Sequence, residues 1–184
     1  MPRHLAVYCS SSNHVAPAFF ALATEMGRLI AAHSDVLVYG GGCVGLMGAM
    51  AQAVHAGGGK VVGVIPESMR NAEVAYLAAD ELIWTQTMRE RKAIMDERAD
   101  AFVALPGGFG TLEELIEVLT HRQLRYHDKP VIIVNAQGFY DPLLALFEHF
   151  YRHHFAKDKH RQSYHVAPDA AGVYSYLDAS EVVK

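Results

Sequence analysis

The sequence predicts an α/β protein: a parallel sheet of about six or seven strands with helices on both faces. Two observations lead there. Short runs such as "DVLVY", "KVVGVI" and "PVIIVN" are apolar at consecutive positions, not alternate ones, which is the pattern of strands buried on both faces. Longer stretches with helical spacing stand between them, as crossovers between parallel strands require. Right-handed crossovers make such a sheet doubly wound and Rossmann-like.

"LAVYC" (5–9) reads as the first strand. Residues 16–33 read as a helix with an apolar stripe through Phe19, Leu22, Met26, Leu29 and Ile30. A strand at 35–39 precedes a small-residue helix at 45–57, closed by Gly57. The strand at 60–65 ends at Pro66. Residues 66–80 fit no period and are expected to be mobile or to cover a ligand. There follow a strand at 81–86, a helix at 88–99, a strand at 101–105, a helix at 111–124, a strand at 130–135 and a helix at 141–155. "SYHVA" (163–167) reads as a last strand before a short helix. With no linker, repeat or low-complexity segment, residues 1–184 read as one domain.

Composition excludes several classes. The chain is 51% apolar and 20% charged, which is globular and not disordered. No run approaches the ~20 apolar residues of a membrane span, and the N-terminus lacks the long apolar stretch of a signal peptide. Cys9 and Cys43 show no CxxC spacing, so no disulfide framework is expected and the cytoplasm is the default location. The net charge of −4 disfavours nucleic-acid and membrane-surface binding. An anionic ligand must then be met by a local cluster of donors.

A parallel sheet gathers its strand ends, and hence its ligand site, on one edge. Four unusual stretches leave strands on that edge: "CSSSN", "GGGCVGLMG", "TQTMRERK" and "PGGFGT". Gly40, Gly42 and Gly45 match a GxGxxG spacing between strand and helix, as a dinucleotide site would. The following strand ends "VIPE", with proline where the ribose-binding acid belongs. These glycines are equally explained by tight strand-to-helix packing. "PGGFGT" is not a Walker loop, since no Lys precedes Thr111, but bare glycines at a helix N-terminus suit a phosphate, with Thr111 as a further donor. "TLEE" reads as a capping box, Thr111 at N-cap and Glu114 at N3. A first-turn carboxylate is kept ionised by the helix dipole and could stabilise a cation or orient water. Glu113 reads as solvent-facing or ion-paired. Arg89, Arg91 and Lys92 stand at a helix start, where the dipole opposes cations, so an anion or carboxylate partner is expected. Asp96, Glu97 and Arg98 read as a solvated face. His149 and His153 have i, i+4 spacing without a third ligand, so no metal site is read there.

Together "YGGGCVGLMG", "MRERK" and "LPGGFGTLEEL" resemble the LONELY GUY family, cytokinin riboside 5′-monophosphate phosphoribohydrolases often mislabelled lysine decarboxylases. The family patterns PGGxGTxxE and MxxRK are met by Pro106, Gly107, Gly108, Gly110, Thr111 and Glu114, and by Met88, Arg91 and Lys92. The resemblance implies hydrolysis of the N-glycosidic bond of an adenosine 5′-monophosphate, N6-substituted or not, to free base and ribose 5-phosphate. It implies Arg91 and Glu114 as catalytic residues and no metal or other cofactor. Substrate contacts would fall on Gly41, Gly42, Glu73, Lys92, Gly107, Gly108, Phe109, Gly110, Thr111, Leu112, Glu113 and Thr120. Members are homodimers or larger, with sites near the subunit interface. Three positions depart from the family pattern: Ser10 for glycine, Tyr76 for histidine and His121 for tryptophan. A rival reading from another class is a nucleotide-binding or carrier module without turnover. A lysine decarboxylase would need pyridoxal phosphate on a lysine, and no lysine here stands in such a context.

Overall fold

The computed structural model describes residues 2–72 and 75–181. Strands β1 (His4–Tyr8), β2 (Val36–Tyr39), β3 (Lys60–Pro66), β4 (Glu81–Thr85), β5 (Ala101–Ala104), β6 (Val131–Val134) and β7 (His165–Ala167) form one seven-stranded sheet in the order β4-β3-β2-β1-β5-β6-β7. Every neighbouring pair is parallel. Helices α1 (Pro17–Ala32), α2 (Gly45–Ala56) and α6 (Ala170–Glu181) cover one face; α3 (Met88–Arg98), α4 (Phe109–Gln123) and α5 (Asp141–Arg152) cover the other. This is the doubly wound class read from the sequence. Among the described residues no helix is long and apolar enough to cross a membrane.

The consecutive apolar runs have a direct cause. Leu5 and Val7 of β1 point into a layer with Met26, Ile30, Leu46 and Met50, while Ala6 and Tyr8 point into the opposite layer with Met95, Phe102, Leu115 and Val118. A strand covered on both faces has no position for a polar residue. Strand order reverses at β1, which pairs with β2 on one side and β5 on the other. The loops leaving β1 and β5 therefore flank a crevice at the switch point. They are tied there by the Ser10 amide, which donates to the Pro106 carbonyl at 3.3 Å.

Several boundaries differ from expectation. Helix α4 begins at Phe109, with Gly108 at the N-cap and no side-chain cap. Thr111 is thus the third helical residue, buried at 3% exposure beneath Gly107, and Glu114 lies in the second turn. The capping box does not form because the chain is already helical before Thr111. Helix α2 stops at Ala56; Gly57 keeps φ −87, and the left-handed turn falls on Gly58 at φ +76. Helix α5 stops short of residue 155 because His154 turns left-handed at φ 61. The last helix runs 12 residues, longer than the short helix expected.

Among the described residues the β3–β4 crossover has no α-helix. A 3-10 segment, Glu67–Ala72, leads to Ala75, which bridges Gly42, and the Tyr76 amide donates to the Gly41 carbonyl at 2.8 Å. His55 of α2 then holds the segment. Its Nδ1 lies 2.9 Å from the Tyr76 hydroxyl and its Nε2 3.0 Å from the Asp80 carboxylate, which also accepts from the Val61 amide. The aperiodic stretch is laid across the glycine loop after β2, as a ligand-covering segment would be.

Candidate active site

Arg91 and Glu114 meet at the switch-point edge. Arg91 leaves the first turn of α3, which Thr87 caps by accepting from the Glu90 amide at 3.1 Å. Its Nη1 donates to Glu114 Oε1 at 2.6 Å and its Nε to the Val64 carbonyl at 3.0 Å. Both side chains are nearly buried, at 9% and 11% exposure. Gly40 closes the guanidinium from a third side: a Cβ there would lie 2.2 Å from Nη2. Strands β2 and β3 and helices α3 and α4 thus converge on one ion pair. The carboxylate partner anticipated for the α3 cations is Glu114. Burial pushes the Glu114 carboxyl above its ordinary range, and the Arg91 charge opposes that shift. The dipole-ionised first-turn carboxylate expected from the sequence is replaced by a second-turn, desolvated one paired with its arginine.

Lys92 is held by Glu113 and by Glu117, the latter at 2.7 Å. Glu113 is therefore ion-paired, one of the two roles read for it. One turn further into the α3–α4 seam, Asp96 lies 3.4 Å from the Tyr8 hydroxyl and 3.3 Å from His121 Nδ1. Asp96 does not belong to the solvated face assigned to it. Burial raises its pKa and His121 opposes the rise. The available signal was the i, i+3, i+7 placement of Glu114, Glu117 and His121 on one face of α4. Arg98 does face solvent, paired with Glu81 at 2.8 Å.

Two helix N-termini look toward this edge, and they differ. At α2 the Gly45 amide donates to Asn13 Oδ1 at 2.8 Å and the Leu46 amide to the Ser10 carbonyl at 2.9 Å. Gly45 turns left-handed at φ +60 against the Ser11 backbone. The "GGGCVG" loop thus places two of its helix donors on the first loop, and close approach accounts for Gly40 against Arg91 and Gly45 against Ser11. At α4 the first amide with a protein acceptor is that of Leu112, which donates to Gly108 at 3.0 Å. Among the described residues the Phe109, Gly110 and Thr111 amides have none. A Cβ at Gly108 or Gly110 would meet nothing within 4 Å, so packing does not explain those glycines. Three free N–H groups at an uncapped helix start are an anion site in form.

The remaining candidates separate. Gly41 and Gly42 line the loop beneath Ala75 and Tyr76. Gly107 and Leu112 lie in the α4 turn, and Phe109 projects outward at 93% exposure. Thr120 is not brought to the site: its hydroxyl donates to the Ile116 carbonyl at 2.7 Å and it lines an apolar cleft against α5 with Phe147 and Phe150. Glu73 lies outside the described residues. The His149 and His153 rings lie 4.3 Å apart and tilted by 46°, and among the described residues no group of three or more His, Cys, Asp or Glu could hold a metal. Among the described residues Cys9 and Cys43 form no disulfide.

A family model described as "Possible lysine decarboxylase" matches residues 47–177. A probable cytokinin riboside 5′-monophosphate phosphoribohydrolase of Oryza sativa subsp. japonica is 44% identical over 96% of this chain and 78% of its own length. A cytokinin riboside 5′-monophosphate phosphoribohydrolase of Arabidopsis thaliana is 42% identical over 96% of this chain and 83% of its own. Among solved structures, the molybdenum cofactor carrier protein of Chlamydomonas reinhardtii superposes with a TM-score of 0.76 at 22% identity, covering 100% of both chains. At that identity the likeness is one of fold. By sequence over nearly its whole length, the chain belongs to the LONELY GUY family of cytokinin riboside 5′-monophosphate phosphoribohydrolases, the family whose model bears the lysine decarboxylase description.

Proposed function

We propose that the protein hydrolyses the N-glycosidic bond of adenosine 5′-monophosphates, including N6-substituted cytokinin nucleotides, to free base and ribose 5-phosphate. The observation that carries this is the buried Arg91–Glu114 pair set beside the uncapped, glycine-built N-terminus of α4. The relatives' named activity supports it. The 5′-phosphate is received by the amides from Gly108 to Thr111, with the adjacent backbone from Gly107 to Glu113 and the Gly41–Gly42 loop bounding the nucleotide. Glycosidic cleavage passes through an oxocarbenium-like state with positive charge on the ribose. The Glu114 carboxylate stabilises that charge or directs water to the anomeric carbon. Arg91 keeps Glu114 ionised and fixed in place. Phosphate binding remote from the reacting bond holds the ribose against the carboxylate. The protein acts as a single nucleotide-binding domain, in the cytoplasm, as a homodimer or larger assembly.

The test is the matched comparison of adenosine monophosphate with adenosine, and of N6-isopentenyladenosine monophosphate with its nucleoside, assayed as free base. The nucleosides should be cleaved at least ~100-fold less efficiently in kcat/KM, a loss of roughly 3 kcal/mol. Equal values within each pair would remove the phosphate role of α4, and no base release from any monophosphate would remove the activity.

A further inference from the structure

We propose a second anion site at the far end of α4, formed by Arg122, Arg125 and Lys159, that takes a small phosphate-bearing molecule carrying two or more charges. These three cations line one cleft with Gln162, Ser163 and a single acid, Asp128. Among the described residues none of the three makes an ion pair. Arg122 is held only by donating to the Lys129 carbonyl at 2.9 Å. The cluster stands in a chain whose net charge is −4, so it is not the overflow of a generally basic surface.

Arg125 supplies the second, independent observation. Helix α4 ends with the Tyr126 amide donating back to the His121 carbonyl at 2.9 Å, which puts Arg125 at φ 64 in the left-handed region. Glycine is the residue that turn favours, and a side chain there is strained. Arg122 in the last helical turn is explained by the dipole; an arginine at the strained position beyond it is not. The local field agrees. Burial lowers the pKa of His127; the Val118 carbonyl and Asp96 oppose that shift, and the charges of Lys129 and Arg122 add to it. Burial, then Lys159 and Lys157, act the same way on His160. Lysine and arginine charge thus reaches both imidazoles beside the cleft. The neutral donors Gln162 and Ser163 beside the three cations suit a compact phosphate compound; three charges on an acidic chain are too few to hold a nucleic-acid strand.

The test uses pyrophosphate as probe, with saturating ribose 5-phosphate, the product that is not turned over, present to occupy the Arg91–Glu114 edge. Calorimetry should show saturable binding, and the His127 imidazole should titrate at higher pH once pyrophosphate is bound. Arg125→Gly should weaken that binding at least ~10-fold, since a charge-assisted contact is lost, yet raise the melting temperature, because glycine relieves the left-handed turn. Lys159→Ala should weaken binding without the thermal gain. Both variants should turn over the monophosphate normally. Binding unchanged in both variants, or abolished by ribose 5-phosphate, would overturn the site. So would tight binding of an RNA oligomer at this face with none of pyrophosphate.

Discussion

Glu114 is a carboxylate pulled in two directions. Burial favours its neutral form; Arg91 Nη1 at 2.6 Å favours its ionised form. The balance lies above the ordinary carboxylate value, so the folded state binds this proton more tightly than the unfolded chain. Stability from this group is then present below its unfolded pKa and falls as pH rises through the raised folded value. Activity runs the opposite way, appearing as Glu114 ionises. Glu114→Gln keeps an acceptor for Arg91 and removes the titration. It should flatten that segment of the melting-temperature profile, hold stability within ~1 kcal/mol at neutral pH, and lower base release by at least ~10³-fold. Normal turnover would leave Glu114 as no more than a partner for Arg91. The two residues were legible from their motifs. Their burial was not, because it depends on Val64 and Gly40, which only strand pairing brings near. Asp96 was misread for the same reason: its neighbours Glu97 and Arg98 look like a surface, and Tyr8 arrives from β1.

The first turn of α4 carries the clearest conflict between local stability and ligand approach. Gly110 lies inside the helix with room for a Cβ on every side. Alanine there should stabilise the helix by ~0.5–1 kcal/mol, while its methyl stands among the amides proposed to meet phosphate. Gly110→Ala should therefore melt higher and show a KM for the monophosphate raised roughly 10-fold, a charge-assisted hydrogen bond's worth. A melting gain with unchanged KM would move the phosphate elsewhere. The same turn marks a limit of local reading. Thr-x-x-Glu is a capping box only if the helix begins at Thr, and nothing in those four residues reveals that Gly108 begins it earlier. Strand positions were legible to within a residue or two because burial on both faces imposes a strong pattern. The β3–β4 crossover, with no α-helix among its described residues, had no period to find.

At the scale of the molecule, α4 and α5 each leave two large apolar residues exposed. Phe109 and Ile116 of α4, and Leu146 and Phe150 of α5, are 93%, 38%, 46% and 37% exposed. Thr120 opens on the cleft between these helices, away from Arg91. A second copy packed on this face would cover the apolar surface and give Thr120 an environment that one chain does not provide. Light scattering should find at least a dimer. A fully active monomer would rule out a site completed by a neighbour.

The central place of β1 also governs how the protein comes to be active. On one side β1 pairs with β2, a neighbour along the chain; on the other it pairs with β5, Leu5 lying against Ala101. Closing so long a loop is entropically costly, and such non-local pairings slow folding. The switch-point crevice lies on that seam, with Ser10 from one side tied to Pro106 from the other. Helical content can therefore form while the crevice does not yet exist. After dilution from denaturant, far-ultraviolet dichroism should recover ahead of base release, and simultaneous recovery would show that the two halves of the sheet fold as one.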